Sequence, residues 1–171
     1  MASYFDPQAG LSDGTVRLRA LRAEDWEALS AAASDPLIWE QHPAHDRWKA
    51  EVFRDFFDTA LSSGRAYLIV GAATGRVLGS SRYHPGPDDR SVEIGWTFLI
   101  RDVWGTDVNR RVKALMFAHA LEHFDRVVLY AGLENYRSQR AIEKVGGRRL
   151  PDAPNSGGEL SAMYEVVKAC G

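Results

Sequence analysis

Cysteine is all but missing from this chain of 171 residues: the only one, Cys170, is next to the last position. That excludes an internal disulfide and a cysteine-built metal cage, and a thiol at a fraying end is held too loosely to act as a nucleophile. Also missing is an apolar run near the roughly 20 residues of a membrane-spanning helix. The start, "MASYFDPQAG", has neither the basic nor the apolar region of a signal peptide, so the expected location is the cytoplasm. There is no surplus of positive charge either. With a formal charge of −2 and a pI near 6.2, the chain has no overall basic footprint for nucleic acid. Repeats and low-complexity tracts are absent. What is there, 45% hydrophobic and 26% charged residues, is the make-up of a single globular domain.

Residues 1–14, polar and carrying Pro7 and Gly10, read as a loose leader before a domain spanning 15–171. "TVRLRAL" alternates Val16 and Leu18 with arginines, as a strand does. A helix follows at "AEDWEALSAAAS", then an irregular loop, "DPLIWEQHP", that holds Trp39 and His42. Trp48, Val52, Phe53, Phe56, Phe57 and Leu61 predict a second helix over about 46–62. Two strands joined at "ATGR" read as a hairpin, followed by a longer strand over 90–100. A helix over about 107–124, a buried-type strand over 126–133, and a helix between Asn135 as N-cap and Gly146 come next. "PDAPNSGGE" reads as a loop and "LSAMYEVVK" as the last strand. The element order predicts an α/β (α+β) fold: a mixed, mostly antiparallel sheet of six to seven strands with helices on both faces.

Two helices therefore begin where strands end, the usual place for a ligand on sheets containing parallel pairs. The first turn, "DVWGTDVNRRVK", has the look of an anion site, because free amides and the helix dipole favour negative charge there. Asp107 stands in that turn. At 5 Å from a phosphate its charge would repel by about 0.8 kcal/mol in water and about 3 at an effective dielectric near 20, a few-fold to roughly hundred-fold loss of affinity. Arg110 and Arg111, with Arg101 nearby, oppose the dipole unless an anion is received or they lie in solvent.

"VEIGWTFLIRDVWGTDVNRRVKALMFAHALEHFDRVVLYAGLENYRSQRAIEKVGG" closely resembles the acetyl-CoA-binding half of the GNAT superfamily of N-acetyltransferases. Within it, "W-G-T-x-V-N" followed by "N-x-x-S-x-x-A-I-E-K-x-G" is similar to the branch that acetylates N-terminal alanine and serine of ribosomal proteins. The matching element order covers 15–168, and Asp107 replaces a glycine of the branch pattern. The resemblance implies that backbone at Phe98, Leu99 and Ile100 pairs with the pantetheine arm of acetyl-CoA. It implies that Trp104, Gly105, Thr106, Asp107, Val108 and Asn109 wrap the pyrophosphate, and that Asn135, Ser138 and Arg140 face pantetheine or nucleotide. The acceptor amine would enter between the loop of Trp39 and His42 and the strands near Tyr83 and Glu93.

Direct acetyl transfer requires that the amine lose a proton, the oxyanion be stabilised and the leaving thiolate be protonated. An α-amine, with a pKa near 8, is roughly a tenth neutral at pH 7, so a weak base suffices. Glu93, an acid inside the apolar "VEIGW", is the expected base, with His84 and His42 as rivals. Ser138 is expected to meet the thiolate; many relatives use a tyrosine four positions on, which here is Ile142. Other readings are a small-amine acetyltransferase and a non-catalytic protein that binds a CoA species or a protein partner, as a monomer or a homodimer. No metal is expected, since His119 and His123 share a helix face without an obvious third ligand.

Overall fold

In the computed structural model, which describes residues 4–169 and so leaves Cys170 outside the described residues, one sheet organises the chain. Its strands are β1 (Leu11–Ser12), β2 (Val16–Ala20), β3 (Ala66–Gly71), β4 (Val77–Pro85), β5 (Ser91–Leu99), β6 (Arg126–Ala131), β7 (Arg148–Pro154) and β8 (Leu160–Val167). They lie side by side in the order β1-β2-β3-β4-β5-β6-β8-β7, and every pairing is antiparallel except that of β5 with β6.

Two cores cover the sheet. On one face lie α1 (Trp26–Ala32), α2 (Pro36–Trp39) and α3 (Ala50–Ser63), whose Phe53, Phe56 and Phe57 bury Trp39, Leu68 and Phe98. On the other lie α4 (Val108–Leu121) and α5 (Tyr136–Lys144), packed through Val112, Met116, Phe117 and Ile142 against Leu18, Ile69, Ile94 and Leu129. Periods of about 3.6 in the helices and 2 in the strands place these side chains inward.

The sheet has eight strands where the sequence predicts six or seven. The leader is not loose among its described residues: Leu11 and Ser12 pair with β2, and the Phe5 ring packs on Tyr83, His119 and Phe124 at centroid distances of 5.1, 5.1 and 5.0 Å. The other extra strand, β7, contains Pro151 and Pro154 and is mostly exposed, so it has no apolar alternation to read. An edge position tolerates proline, and pairing with β8 defines β7. Trp39, read as a loop residue, instead ends the short helix α2, whose start has Pro36 at N1 and Asp35 accepting the Leu37 N–H at 3.0 Å.

Candidate active site

Strand β5 is the axis of the site. It pairs with β4 along its length but with β6 only from Ser91 to Glu93, while β6 stays paired with β8 as far as Ala131. Past Glu93 the two parallel strands part, leaving unpaired backbone inside the sheet. At the parting Trp96 has a φ of 53°, a value no other described non-glycine residue shares in sign, and the β4–β5 register shifts between Ser80 and Arg82. Such a bulge turns the strand and costs about 1–3 kcal/mol of backbone strain.

The bulge also corrects which groups face the gap. Phe98 turns its carbonyl towards Gly79 of β4, so close that a Cβ on that glycine would meet it at 1.9 Å, and the Ile100 N–H donates to the Leu78 carbonyl at 2.8 Å. Both therefore face β4. The Leu99 carbonyl faces away from β4 but accepts the Trp104 indole N–H at 2.9 Å. By strand alternation, the N–H of Leu99 and the backbone of Thr97 remain for a ligand in the gap. Thr97 is missed in the sequence, where nothing announces the bulge except Gly95 before Trp96.

At the start of α4, Gly105 turns the chain at φ 74°, and Thr106 donates to the Val103 carbonyl at 2.5 Å while accepting the Val108 N–H at 3.3 Å. The amides of Gly105, Asp107, Asn109 and Arg110 find no partner among the described residues, an arrangement suited to an anion. The Asp107 carboxylate neither caps the helix nor points at those amides. It accepts from Arg111 Nε at 2.7 Å and meets Arg110 Nη2 at 3.5 Å, while Arg111 also reaches Asp13 at 3.0 Å. Arg101, read as a possible aid to the anion, is paired with Asp35.

Across the gap, Asn135 caps α5 by accepting the Ser138 N–H at 3.3 Å, and the Ser138 hydroxyl is left without a partner among the described residues. Arg140 is exposed, and Ile142 is buried in the core. Arg137, which the sequence does not single out, ties the site together. Its guanidinium lies 4.4 Å from the centre of the Trp104 ring and donates to the Leu37 carbonyl at 3.2 Å and to Glu40 at 2.6 Å. Its N–H donates to Gln41 at 3.1 Å.

On the face covered by α2 and α3, Glu93 is 5% exposed and stands at the last β5–β6 pair. Burial pushes its carboxyl up to about 7, against the downward pulls of the Ser156 hydroxyl and the Arg82 guanidinium. Gly95 makes room for it: a Cβ there would stand 3.2 Å from Glu93 Oε1. His84 is its cross-strand neighbour, its ring centred 5.4 Å from that of Trp96 at a tilt of 58°, and burial, Arg65 and Arg82 lower its pKa. His42 accepts the Ala44 N–H on Nδ1 at 2.9 Å, so the proton of the neutral ring sits on Nε2. Burial and Arg47 hold its pKa down at about 4, which makes it a poor base.

Two expected acceptor contacts are corrected. Tyr83 lies on the opposite face, 1% exposed, donating its hydroxyl to the Met116 carbonyl at 2.7 Å. Plain alternation along β4 sets that orientation: Ser80 and Arg82 pair with Leu68 and Ala66 of the acceptor-side core, and Tyr83 joins Tyr67 in the other. Trp39 does lie on the acceptor face, but only as its floor: it is 3% exposed, and its indole N–H is used by the Ala33 carbonyl at 2.8 Å. Glu122, in turn, comes within 4.8 Å of the ligand atoms of His119 and His123, although His119 Nε2 is hydrogen-bonded to the Asp6 carbonyl at 2.7 Å.

The acetyltransferase (GNAT) domain family matches residues 15–148. No curated protein matches the chain. Among solved structures, a GNAT-family acetyltransferase from Bacillus anthracis superposes with a TM-score of 0.75 at 17% identity, covering 92% of this chain and 98% of its own. An acetyltransferase from Agrobacterium tumefaciens gives 0.72 at 21% identity, covering 98% and 99%. RimJ of Mycobacterium smegmatis, in complex with CoA-disulfide, gives 0.66 at 17% identity, covering 93% and 86%. At such identities the structures speak for the fold, which is the same one, while the match over 15–148 speaks for kinship: the chain belongs to the GNAT family of acetyltransferases.

Proposed function

We propose that this N-acetyltransferase moves an acetyl group from acetyl-CoA directly to an α-amine, in a ternary complex assembled around the gap between β5 and β6. The observation that carries the reading is the meeting at this gap of Glu93, poised near neutral pH, with the unpartnered hydroxyl of Ser138 on one side and the free amides of α4 on another. The residues present fit the cofactor. The amides of Gly105, Asp107, Asn109 and Arg110 receive the pyrophosphate, Thr97 and Leu99 offer backbone to the pantetheine arm, and Asp107 is drawn aside by Arg111. Trp104, Asn109, Asn135 and Arg140 line the same path, Asn135 through the cap that fixes the start of α5.

Glu93 takes the proton of the attacking amine, directly or through one water, as the new C–N bond forms. A carboxylate with a pKa near 7 is matched to an α-amine near 8, whereas a lysine amine near 10.4 would be almost wholly charged. The C–S bond then breaks, and the Ser138 hydroxyl meets the departing thiolate and supplies its proton. The helical start of α5 adds a fixed dipole beside that sulfur. The resemblance of the "W-G-T-x-V-N" and "N-x-x-S" motifs to the ribosomal-protein branch supports an N-terminal amine of a protein or peptide as the acceptor.

Thiol release from acetyl-CoA, measured with peptides that offer either a free α-amine or only a lysine side chain, tests this reading. The α-amine set is expected to turn over at least tenfold faster at pH 7. Equal rates, or faster lysine acetylation, would sink the acceptor assignment.

A further inference from the structure

The acceptor face holds two arginines without carboxylate partners. Arg82, 4% exposed, comes up from β4 and lies 4.2 Å from the centre of the Trp96 ring and 5.4 Å from that of Phe56. Its Nε is the one buried side-chain nitrogen or oxygen without a hydrogen bond among the described residues. Arg47, from the segment before α3, lies 4.9 Å from the centre of the same Phe56 ring and 5.3 Å from that of Trp39. It has no ion pair within 4.0 Å among the described residues.

The thirteen ion pairs among the described residues take up acids elsewhere and match eleven arginines, and neither Arg47 nor Arg82 is among them. Around the two free guanidinium groups the charged neighbours are Glu93, which attracts Arg82, and Asp46 and Asp55, which attract Arg47 from further off. The arginines also repel each other; they add to burial, the main cause, in lowering the pKa of His42, through Arg47, and of His84, through Arg65 and Arg82. Two like charges around one aromatic ring, Arg82 buried and Arg47 half-buried, are costly unless a ligand carries the counter-charge.

We infer that the acceptor carries a carboxylate close to its amine, and that Arg47 and Arg82 bind this carboxylate while Glu93 faces the amine. The inference rests on the acetyltransferase reading above and narrows its substrate class. Planar guanidinium forks backed by aromatic rings match a planar carboxylate better than any uncharged group. Binding it would also relieve the pull of Arg82 on Glu93, leaving that carboxylate a stronger base once the acceptor is seated. The carboxylate has two possible sources: the α-carboxylate of a free amino acid, or an acidic side chain near the start of a peptide.

Matched acceptors separate them. Initial rates of thiol release at saturating acetyl-CoA would be measured for free amino acids against their amides, and for peptides starting with Asp or Glu against those starting with Asn or Gln. The carboxylate member of one pair is expected to show at least tenfold higher kcat/KM, mainly through KM, and the pair that responds identifies the source. Arg47→Gln, at a partly exposed position, should shrink that ratio at least fivefold. Arg82→Lys, checked by thermal melting because the site is buried, should shrink it as well. Ratios near one in both pairs, or a ratio unchanged in Arg47→Gln, would overturn the inference. If no amine is turned over, the transferase reading fails separately, and calorimetric titration of the same matched compounds decides this one: tenfold tighter binding of the carboxylates upholds it, and equal binding refutes it.

Discussion

The cofactor half and the acceptor half of the site handle charge in opposite ways. Around the start of α4 the charged side chains are consumed by one another: Asp107 and Asp13 by Arg111, Asp35 by Arg101, Glu40 by Arg137. The groups left free there are backbone amides. On the acceptor face the backbone is locked in the β4–β5 ladder, and side chains are what remain without an ion pair among the described residues: Arg47, Arg82 and Glu93. A ligand held by backbone needs neutral, quiet surroundings, whereas a ligand read by side chains needs those side chains unspent. The contrast teaches that an acid or arginine in a site must be judged by its partners before its charge is counted.

The acceptor half should break most easily. Glu93→Gln is expected to lower kcat/KM by about 10²–10⁴ at pH 8, the range of a lost general base. In the wild type the active carboxylate form fills as pH rises through about 7, so the rate climbs across that range; the glutamine variant should keep only the ionisation of the acceptor amine. A rate profile in which the limb near 7 survives the substitution would remove Glu93 from the reaction. The same group has a stability signature. Its folded pKa is raised, so its favourable contribution is full below about 4.5 and fades as pH rises through 7, and thermal melts should favour the variant increasingly from pH 5 to pH 8.

The boundary between the halves is sharpened by Lys113. It is 4% exposed and, among the described residues, donates only to Thr97 Oγ1, at 2.7 Å, which in turn shares a hydrogen bond with Ser81. Burial lowers its pKa from 10.5 to about 7, so the unfolded chain binds more protons between those values and wild-type stability should rise with pH across that window. Lys113→Met should abolish the slope and stabilise the protein at pH 7 by about 1–3 kcal/mol, as a well-packed apolar replacement of a buried charge often does. Urea midpoints at pH 7 and pH 9 provide the check, and a slope that persists in the variant would show that another group carries it.

The smallest effect is expected in the cofactor half. Because Asp107 is taken up by Arg111, Asp107→Gly should change the calorimetric affinity for acetyl-CoA by less than about threefold, within the modest worth of an exposed ion pair. A gain of tenfold or more would mean that the carboxylate does face the phosphates, and the contrast between the halves would fail.

Much of the fold could be read along the chain. The two helix starts, at Asp107 and Asn135, lie within a residue of where spacing and capping chemistry put them. The edge strands were harder. Leu11–Ser12 is too short to show a period, and Arg148–Pro154 shows none. In the site, Glu93 was legible as an acid in an apolar strand, and Ser138 as a first-turn residue after a cap. Arg47, Arg82 and Arg137 were not, because an arginine near a strand or loop usually means solvent, and only its partners reveal otherwise.

The sequence by itself determined the alternation of strands and helices, the two turns from strand to helix, and kinship with the GNAT family, because these depend on local periods and short fixed spacings. Tertiary structure alone decided the side of the sheet on which each residue acts. The bulge at Trp96 turns Trp96 and Phe98 of β5 onto the acceptor face, against the core that holds Phe53 and Phe56, while Ile94 before it and Leu99 after it lie in the other core, and the parting of β5 from β6 opens the gap. The physical reason is that side chains alternate along a strand with a period of 2, so a single irregularity that no local pattern encodes reverses every assignment beyond it.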